Sequence, residues 1–376
     1  YAGPLETTAY QSHNTDKQHA FDGFASGPFE AFGRTHELVV GASNRVYDAT
    51  SKEYDPYTTA WPIGAPKPNF VRDGKTRSVT TQDAVYLTTR LSLADPLTLI
   101  LGSRLDLYDY DDRTTDGDYK ITRNLTRYAG LIYKFDDHHS VYASYTDIFT
   151  PQTSKDLSGK VLEPIVGENY EVGIKGEYFN GALNASLAVF QMDQTGRSTT
   201  ADNQLGCPVM TCYNASGKVR SQGIDMELQG ALTENWQLGA GYTYTRAHYI
   251  KDDNPANNNQ KFDSDTPEHL FKVSTMYRLQ GPLEKLRVGG SVYWQSRMYN
   301  DIALANGSSY RLEQGSYATA DLMAGYEVSK HLDLQVNANN IFDRVYYSAI
   351  GSNVTWGSND NYGTPRSYML TAKYKF

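Results

Sequence analysis

Long apolar runs, cysteine and net positive charge are all scarce in this chain of 376 residues. The longest apolar stretch, near Leu97–Leu101, is far shorter than the roughly 18 residues that a membrane-spanning helix requires. The formal net charge is −8 and no basic tail is present, so nucleic acid is not an expected partner. These absences exclude a helical membrane protein and argue against a nucleic-acid-binding protein.

Aromatic residues, by contrast, are abundant and biased towards tyrosine. The chain holds 30 Tyr against 13 Phe and 4 Trp. Disordered chains lack aromatic residues, so this composition predicts a folded protein. Tyrosine combines an apolar ring with a polar hydroxyl and therefore favours the boundary between membrane and water.

Apolar and polar residues alternate along many segments with the period of two that indicates β-strands. In Trp236–Thr245, Trp, Leu, Ala and Tyr occupy one face, while Gln, Gly and Thr occupy the other. Leu97–Asp109 and the final segment, Arg366–Phe376, show the same pattern. Such segments reach about ten residues, longer than the five or six usual in soluble sheets and suited to crossing a bilayer at a tilt.

The connections between these segments alternate between short and long. Asn180–Gly181 is a strong signal for a two-residue hairpin turn, whereas Asp48–Lys75 and Phe342–Pro365 are long polar loops. Transmembrane barrels have short periplasmic turns and long extracellular loops. We therefore predict an all-β, transmembrane antiparallel β-barrel with about sixteen strands in this sequence, beginning with Leu5–Ser12 and Lys17–Ala31.

The alternation also predicts which side chains face lipid. The apolar side of each strand should contact the bilayer, and tyrosines beside the short turns should lie at its periplasmic boundary. The positions predicted to face lipid include Val85, Leu87, Leu187, Leu228, Leu238, Leu322 and Leu370.

Several stretches resemble TonB-dependent outer-membrane receptors. They are GENYEVGIKGEYFNGALNASLAVFQMD at Gly167–Asp193, SQGIDMELQGALTENWQLGAGYTYT at Ser221–Thr245, NANNIFDRVYYS at Asn337–Ser348 and YGTPRSYMLTAKYKF at Tyr362–Phe376. The hairpin GPFEAFGRTHELVVGAS at Gly27–Ser43 resembles the ferric-siderophore branch, near the pyoverdine and coprogen receptors. The resemblance implies a barrel of 22 strands with an N-terminal plug domain. Because no plug or TonB box is recognisable, residues 1–376 are expected to be the C-terminal portion of such a barrel, incomplete at the N-terminus.

The resemblance also implies a function. It predicts an outer-membrane receptor of a Gram-negative bacterium that imports a ferric siderophore with energy supplied by TonB through the missing N-terminal region. The siderophore is then a transported ligand rather than a cofactor, and lipid and lipopolysaccharide surround the barrel. Few Lys or Arg residues cluster in the loops, which favours a hydroxamate or pyoverdine-like chelate over a highly charged catecholate. A substrate-selective porin is the alternative.

No catalytic motif or metal-ligand motif is recognisable, so an enzyme is not expected. The candidate ligand-binding residues are instead aromatic residues and an arginine in or near the long loops, because rings grip a bulky chelate at low entropic cost. They are Trp61, Trp356, Tyr54, Tyr57, Tyr213, Tyr299, Tyr347 and Arg297.

Cys207 and Cys212 lie in the sequence CPVMTC, within a polar loop. Two cysteines cannot complete a four-ligand zinc site, and no histidine is nearby. A disulfide at the tip of a loop is the favoured interpretation and indicates an oxidising compartment. Two free thiols in a cytosolic loop are the alternative.

Overall fold

The computed structural model describes residues 7–61, 65–114, 118–201, 205–208, 211–303, 308–351 and 360–376, with the backbone alone at residues 7–10, 56–61 and 303. Long β-strands dominate these residues, as the alternating sequence pattern predicts. Among them, no helix is long and apolar enough to span a membrane.

The strands follow one another with few interruptions. They are β1 Thr7–Ala31, β2 Arg34–Trp61, β3 Val71–Ala94, β4 Leu97–Asp112, β5 Tyr119–Lys134, β6 His139–Thr150, β7 Ile165–Tyr178, β8 Leu183–Thr200, β9 Tyr213–Thr233, β10 Trp236–Lys251, β11 His269–Arg278, β12 Leu286–Gln295, β13 Met298–Ala303, β14 Ser309–Gln314, β15 Tyr317–Glu327, β16 Leu332–Asn339, β17 Tyr347–Ala349, β18 Asn361–Tyr362 and β19 Ser367–Tyr374.

Fifteen of these strands form one antiparallel sheet in which neighbours in the chain are neighbours in space. The pairs β13–β14 and β17–β18 are separate hairpins inserted between strands of the large sheet. This up-and-down order is that of a transmembrane barrel wall, and it confirms the predicted fold class.

The N-terminal strands differ from the predicted boundaries. Leu5–Ser12 and Lys17–Ala31 were expected to be two strands, but the residues between them pair without a break with β2, as in Thr15 opposite Thr50. The predicted loop Asp48–Lys75 is largely strand as well, because Asp48 to Asp55 pair with β3. Ladder hydrogen bonds between β1 and β2, and between β2 and β3, sustain these strands where the apolar alternation has ended.

One face of the sheet carries exposed apolar side chains. Val85 is 55% exposed and Leu370 is 70% exposed, and Leu87, Leu187 and Leu322 are exposed as well. Leu228 and Leu238 lie on the same face and are half-buried. All seven positions predicted to face lipid therefore share the apolar face, which is the surface that a bilayer would cover.

The opposite face is polar, and its side chains form hydrogen bonds and ion pairs with one another. Asp106 is buried and accepts hydrogen bonds from Arg104 Nε and Gln82 Nε2, both at 2.9 Å. Near the short turns, Arg287 forms a bidentate ion pair with Asp333 at 2.6 and 2.5 Å. The Gln82–Asp106 bond joins the neighbouring strands β3 and β4, and the Arg287–Asp333 pair spans β15 between β12 and β16, both on the face that would line the barrel lumen.

Glycine on the polar face allows tyrosine rings to lie flat against the neighbouring strand. A Cβ atom at Gly102 would overlap the ring of Tyr128, and a Cβ atom at Gly41 would overlap the ring of Tyr86. The Tyr86 hydroxyl then reaches Asp22 Oδ1 at 3.0 Å. These glycines are required by the close approach of the rings.

The assignment of the two faces predicts opposite effects at adjacent positions of β19. Leu370→Arg places a charge on the lipid face near the middle of the strand and should lower the free energy of unfolding by about 2–4 kcal/mol. Met369→Arg, on the lumenal face, is the matched control and should lower the free energy of unfolding much less. Guanidinium unfolding of the receptor in phospholipid vesicles measures both, and equal losses in the two variants would contradict the assignment.

Candidate functional site at the outer end of the barrel

Long connections collect at one end of the sheet, which we call the outer end. The segments 151–164, 201–212 and 252–268 and the hairpins β13–β14 and β17–β18 all lie between strands at this end. At the opposite end the turns are short, as at 32–33, 95–96 and 234–235. Because adjacent strands alternate in direction, all of these long connections lie at the same end of the sheet.

A disulfide anchors one of these connections. Cys207 and Cys212 are bonded, as the sequence predicted. Cys212 is fully buried, and its carbonyl oxygen accepts a hydrogen bond from the Ala201 backbone at 3.0 Å. The backbone N–H of Tyr213 donates to the carbonyl oxygen of Lys155 at 2.9 Å. The disulfide segment is thereby joined to the segment 151–164, where Val161 and Leu162 are also buried.

Tyrosines form a second feature of the outer end, which we call the tyrosine cluster. Its members are Tyr293 on β12, Tyr317 on β15, Tyr346 and Tyr347 at β17, and Tyr362 on β18. The rings of Tyr317 and Tyr346 stack at 4.3 Å between centroids, and those of Tyr347 and Tyr362 stack at 4.7 Å. Stacked rings present large, rigid faces at low entropic cost.

Two buried glutamines position the tyrosine cluster. Gln295, which is 4% exposed, accepts hydrogen bonds through Oε1 from the hydroxyls of Tyr293 at 2.7 Å and Tyr317 at 3.1 Å. Gln314 is also buried, and its Oε1 accepts the backbone N–H of Tyr347 at 2.7 Å. Gln314 therefore links the β13–β14 hairpin to β17, and the stack of Tyr317 on Tyr346 links the large sheet to the residue before β17.

The remaining predicted residues lie in different surroundings. Tyr54 is half-buried on β2 and pairs with Arg72, and Tyr213 begins β9 beside the disulfide. Tyr299 and Arg297 line a pocket together with Lys261. Trp356 lies outside the described residues, and so do the side chains of Trp61 and Tyr57, whose backbone belongs to β2. Of the predicted set, Tyr347 alone lies in the tyrosine cluster.

Tyr293 and Tyr317 were missed because they lie on strands rather than in loops. Both occupy the lumenal side of the alternation, where their neighbours on the same strands are polar, as with Gln295 and Asp321. An aromatic residue on an otherwise polar face near the outer end of a strand was the signal that could have identified them.

The arrangement suits the binding of a large ligand. Among the described residues, no group of three or more His, Cys, Asp or Glu side chains could hold a metal ion. The outer end presents tyrosine rings that are fixed by hydrogen bonds, next to polar side chains of the lumen. Such a surface can hold a large ligand without covalent chemistry.

Comparison with known proteins places this fold in a family. The family model described as TonB dependent receptor-like, beta-barrel matches residues 1–341. The chain belongs to that family. Its members are receptors of the outer membrane of Gram-negative bacteria and not enzymes, so the chain is an outer-membrane protein, as the sequence predicted.

The chain is similar over almost all of its length to receptors for pyoverdine. It is 40% identical to the ferric-pyoverdine BN7/BN8 receptor of Pseudomonas putida, covering 96% of this chain and 44% of that protein. It is 35% identical to the ferripyoverdine receptor of Pseudomonas aeruginosa, with the same coverage of both. The chain thus spans about half the length of the curated relatives it matches.

A solved structure gives the same result for the fold. The crystal structure of the ferripyoverdine receptor of the outer membrane of Pseudomonas aeruginosa, bound to ferripyoverdine, superposes with a TM-score of 0.88 at 31% identity. The match covers 100% of this chain and 51% of that chain.

The disulfide is open to a direct test. Peptide mapping of the unreduced protein should recover the segment that contains Cys207 and Cys212 lighter by two hydrogen atoms than after reduction. The bonded cysteines are only 5 residues apart. Replacing both with alanine should therefore lower the free energy of unfolding by less than the roughly 3 kcal/mol expected for a disulfide that closes a 15-residue loop. Recovery of the segment with two free thiols would contradict the assignment.

Proposed function

We propose that this chain forms the barrel wall and outer loops of a receptor that imports a ferric siderophore of pyoverdine or hydroxamate type. The observation that carries the proposal is the 40% identity, over 96% of this chain, to a ferric-pyoverdine receptor. A second relative, the ferrioxamine B receptor of Salmonella typhimurium, is 27% identical over 89% of this chain. The family assignment argues against the alternative of a substrate-selective porin.

The iron chelate is the transported ligand in this proposal, and the tyrosine cluster supports its mode of binding. The stacked pair Tyr347 and Tyr362 presents ring faces at the outer end, where the exposed fraction of Tyr362 is large. We propose Tyr347 as a ligand contact, and we retain Trp61, Trp356, Tyr54, Tyr57 and Tyr213 as further proposed contacts. Tyr299 and Arg297, which line one pocket with Lys261, are retained as proposed contacts as well.

Charge at the outer end supports the siderophore class. Arg311 on the β13–β14 hairpin forms an ion pair with Asp301 at 2.7 Å. This pair leaves little uncompensated positive charge on that hairpin. A tris-catecholate complex, with its high negative charge, would favour a strongly basic vestibule.

The sheet edges support the proposal that residues 1–376 are part of a larger barrel. Among the described residues, β1 pairs with β2 alone and β19 pairs with β16 alone. An unpaired strand edge in a bilayer leaves backbone N–H and C=O groups without partners, at a cost of several kcal/mol each. We propose that further strands of the whole receptor close the barrel between β1 and β19.

Energy for import must come from elsewhere, because the outer membrane has no ATP. We propose that TonB supplies it through a plug domain in the N-terminal region of the whole receptor. Siderophore import should then depend on TonB, whereas diffusion through a porin would not.

Uptake of radioactive iron tests the function. The whole receptor is expressed in a host without its own siderophore receptors, with and without TonB, and is offered ferripyoverdines, ferrioxamine B or a ferric tris-catecholate. We expect TonB-dependent uptake of at least one ferripyoverdine or hydroxamate. Uptake of the catecholate alone would contradict the ligand class, and uptake without TonB would contradict the transport mechanism.

The affinity of the whole receptor for a ferric siderophore, measured by fluorescence quenching, tests the proposed contact. Tyr347→Ala should weaken siderophore binding by about 1–3 kcal/mol, the range of a buried aromatic hot spot. Tyr277→Ala is the matched control, because Tyr277 is an exposed tyrosine on the lipid face beside a short turn. Unchanged affinity in Tyr347→Ala, measured by fluorescence quenching, would remove Tyr347 from the site.

A further inference from the structure

Part of the tyrosine cluster is carried by an insertion between β16 and β19, residues 340–366, that begins at Asn340. Tyr346, Tyr347 and Tyr362 belong to this insertion. Its two short strands, β17 and β18, form a sheet of their own and are not part of the ladder of the large sheet. The position of these rings therefore depends on side chains and local contacts, several of which are made by Asn340.

The side chain of Asn340 is buried and joins the two ends of the insertion. Asn340 is 4% exposed. Its Nδ2 donates to the carbonyl oxygens of Arg344 at 2.9 Å and Thr364 at 3.0 Å, and its Oδ1 accepts the backbone N–H of Arg344 at 2.9 Å. Both amide hydrogens and the amide oxygen are therefore bonded. The amide ties the first residues of the insertion to the residues that precede β19.

The backbone of Asn340 fixes the same point to the large sheet. Its N–H donates to Asp321 Oδ1 at 2.8 Å, and Asp321 Oδ2 accepts a hydrogen bond from Ser291 Oγ at 2.8 Å. These two residues lie on β15 and β12, which also carry Tyr317 and Tyr293. Asn340 therefore connects the insertion to the two strands that hold the remaining tyrosines of the cluster.

The backbone conformation at this point suits asparagine or aspartate. The φ angle of Asn340 is +48°, in the left-handed region that these two residues tolerate better than other side chains do. The carbonyl oxygen of Asn340 accepts the backbone N–H of Asp343 at 2.8 Å, which closes the turn. An aspartate at position 340 would keep this conformation and lose both amide donors.

The two segments that the Asn340 amide joins also enclose a ring of the cluster. Tyr346 follows Arg344 by two residues, and Gly363 directly precedes Thr364. The Gly363 N–H donates to the Tyr346 carbonyl oxygen at 2.8 Å, and a Cβ atom at Gly363 would overlap the Tyr346 ring. Separation of the two segments would therefore displace this ring and the residue that follows it.

We propose that Asn340 is a positioning residue for siderophore binding, because its amide holds Tyr346 and Tyr347 in the arrangement that meets the ligand. Asn340 is buried and acts through the tyrosines rather than by touching the ligand. This inference rests on the proposed function, since it assigns a role within the same site.

The position of the β17–β18 hairpin can be measured without a ligand. Spin labels on cysteines introduced at Ala349 of β17 and Val288 of β12 in the whole receptor report the distance between hairpin and sheet by double electron–electron resonance. Both positions are exposed, and the native cysteines are bonded to each other. Asn340→Asp preserves the size of the side chain but removes both donors, so the distance distribution should widen.

Asn339→Asp is the matched control, one residue earlier in the chain. Asn339 is the last residue of β16, and its amide donates to Ser367 Oγ on β19 at 3.3 Å. The distance distribution in this variant should remain that of the unaltered receptor. The migration of folded, unheated protein in gels verifies that both variants form the barrel.

Siderophore affinity tests whether this position matters for binding. With ferripyoverdines and ferrioxamine B as probes in fluorescence quenching, Asn340→Asp should weaken binding by about tenfold or more, because it displaces an aromatic hot spot. In a Tyr347→Ala background the same change should have little further effect, because the two residues act through one contact. A general loss of stability would instead lower the affinity equally in both backgrounds.

Three results would overturn the proposal. They are equal distance distributions in Asn340→Asp and Asn339→Asp, an unchanged affinity of Asn340→Asp, and losses that add fully to those of Tyr347→Ala. Absence of binding by the unaltered receptor would contradict the proposed function instead, and the distance measurement would then decide on its own whether Asn340 positions the tyrosines.

Discussion

The structure depends on one constraint, which is that the backbone has no water to bond with inside a bilayer. Each strand of the sheet from β2 to β16 satisfies its N–H and C=O groups through neighbours on both sides. With the backbone so paired, side chains must alternate between lipid and lumen. The exposed Leu322 and its inward neighbour Asp321 on β15 show this division at adjacent positions.

Above the bilayer the constraint relaxes, and the chain is held by side chains and local contacts. Gln295 and Gln314 fix the tyrosines, the Cys207–Cys212 disulfide closes one loop, and the Tyr213 backbone joins that loop to the segment 151–164. The same wall therefore presents lipid contacts, a polar lumen and an outer end built from loops and hairpins.

The fold was largely predictable from sequence, whereas the candidate site was only partly so. Period-two alternation identified the strands and the lipid side of Val85 and Leu370, because the bilayer imposes that pattern directly. The alternation did not identify the strands in the middle of β1 and at the outer end of β2. Strands that lie in water need no apolar face, so these were identified only by their pairing with neighbouring strands. Tyr317 was missed for a related reason: its partners, Gln295 and Tyr346, are distant in the sequence and meet only in the folded protein.

Collision of oxygen with spin labels along β15 tests the central claim most directly. Labels on single cysteines introduced at positions 318 to 327 report lipid contact, because oxygen concentrates in the bilayer and the native cysteines are bonded to each other. The account predicts collision maxima at even positions such as Leu322 and Ala324, and minima at Asp321 and Met323. Maxima at the odd positions, or no alternation, would contradict it.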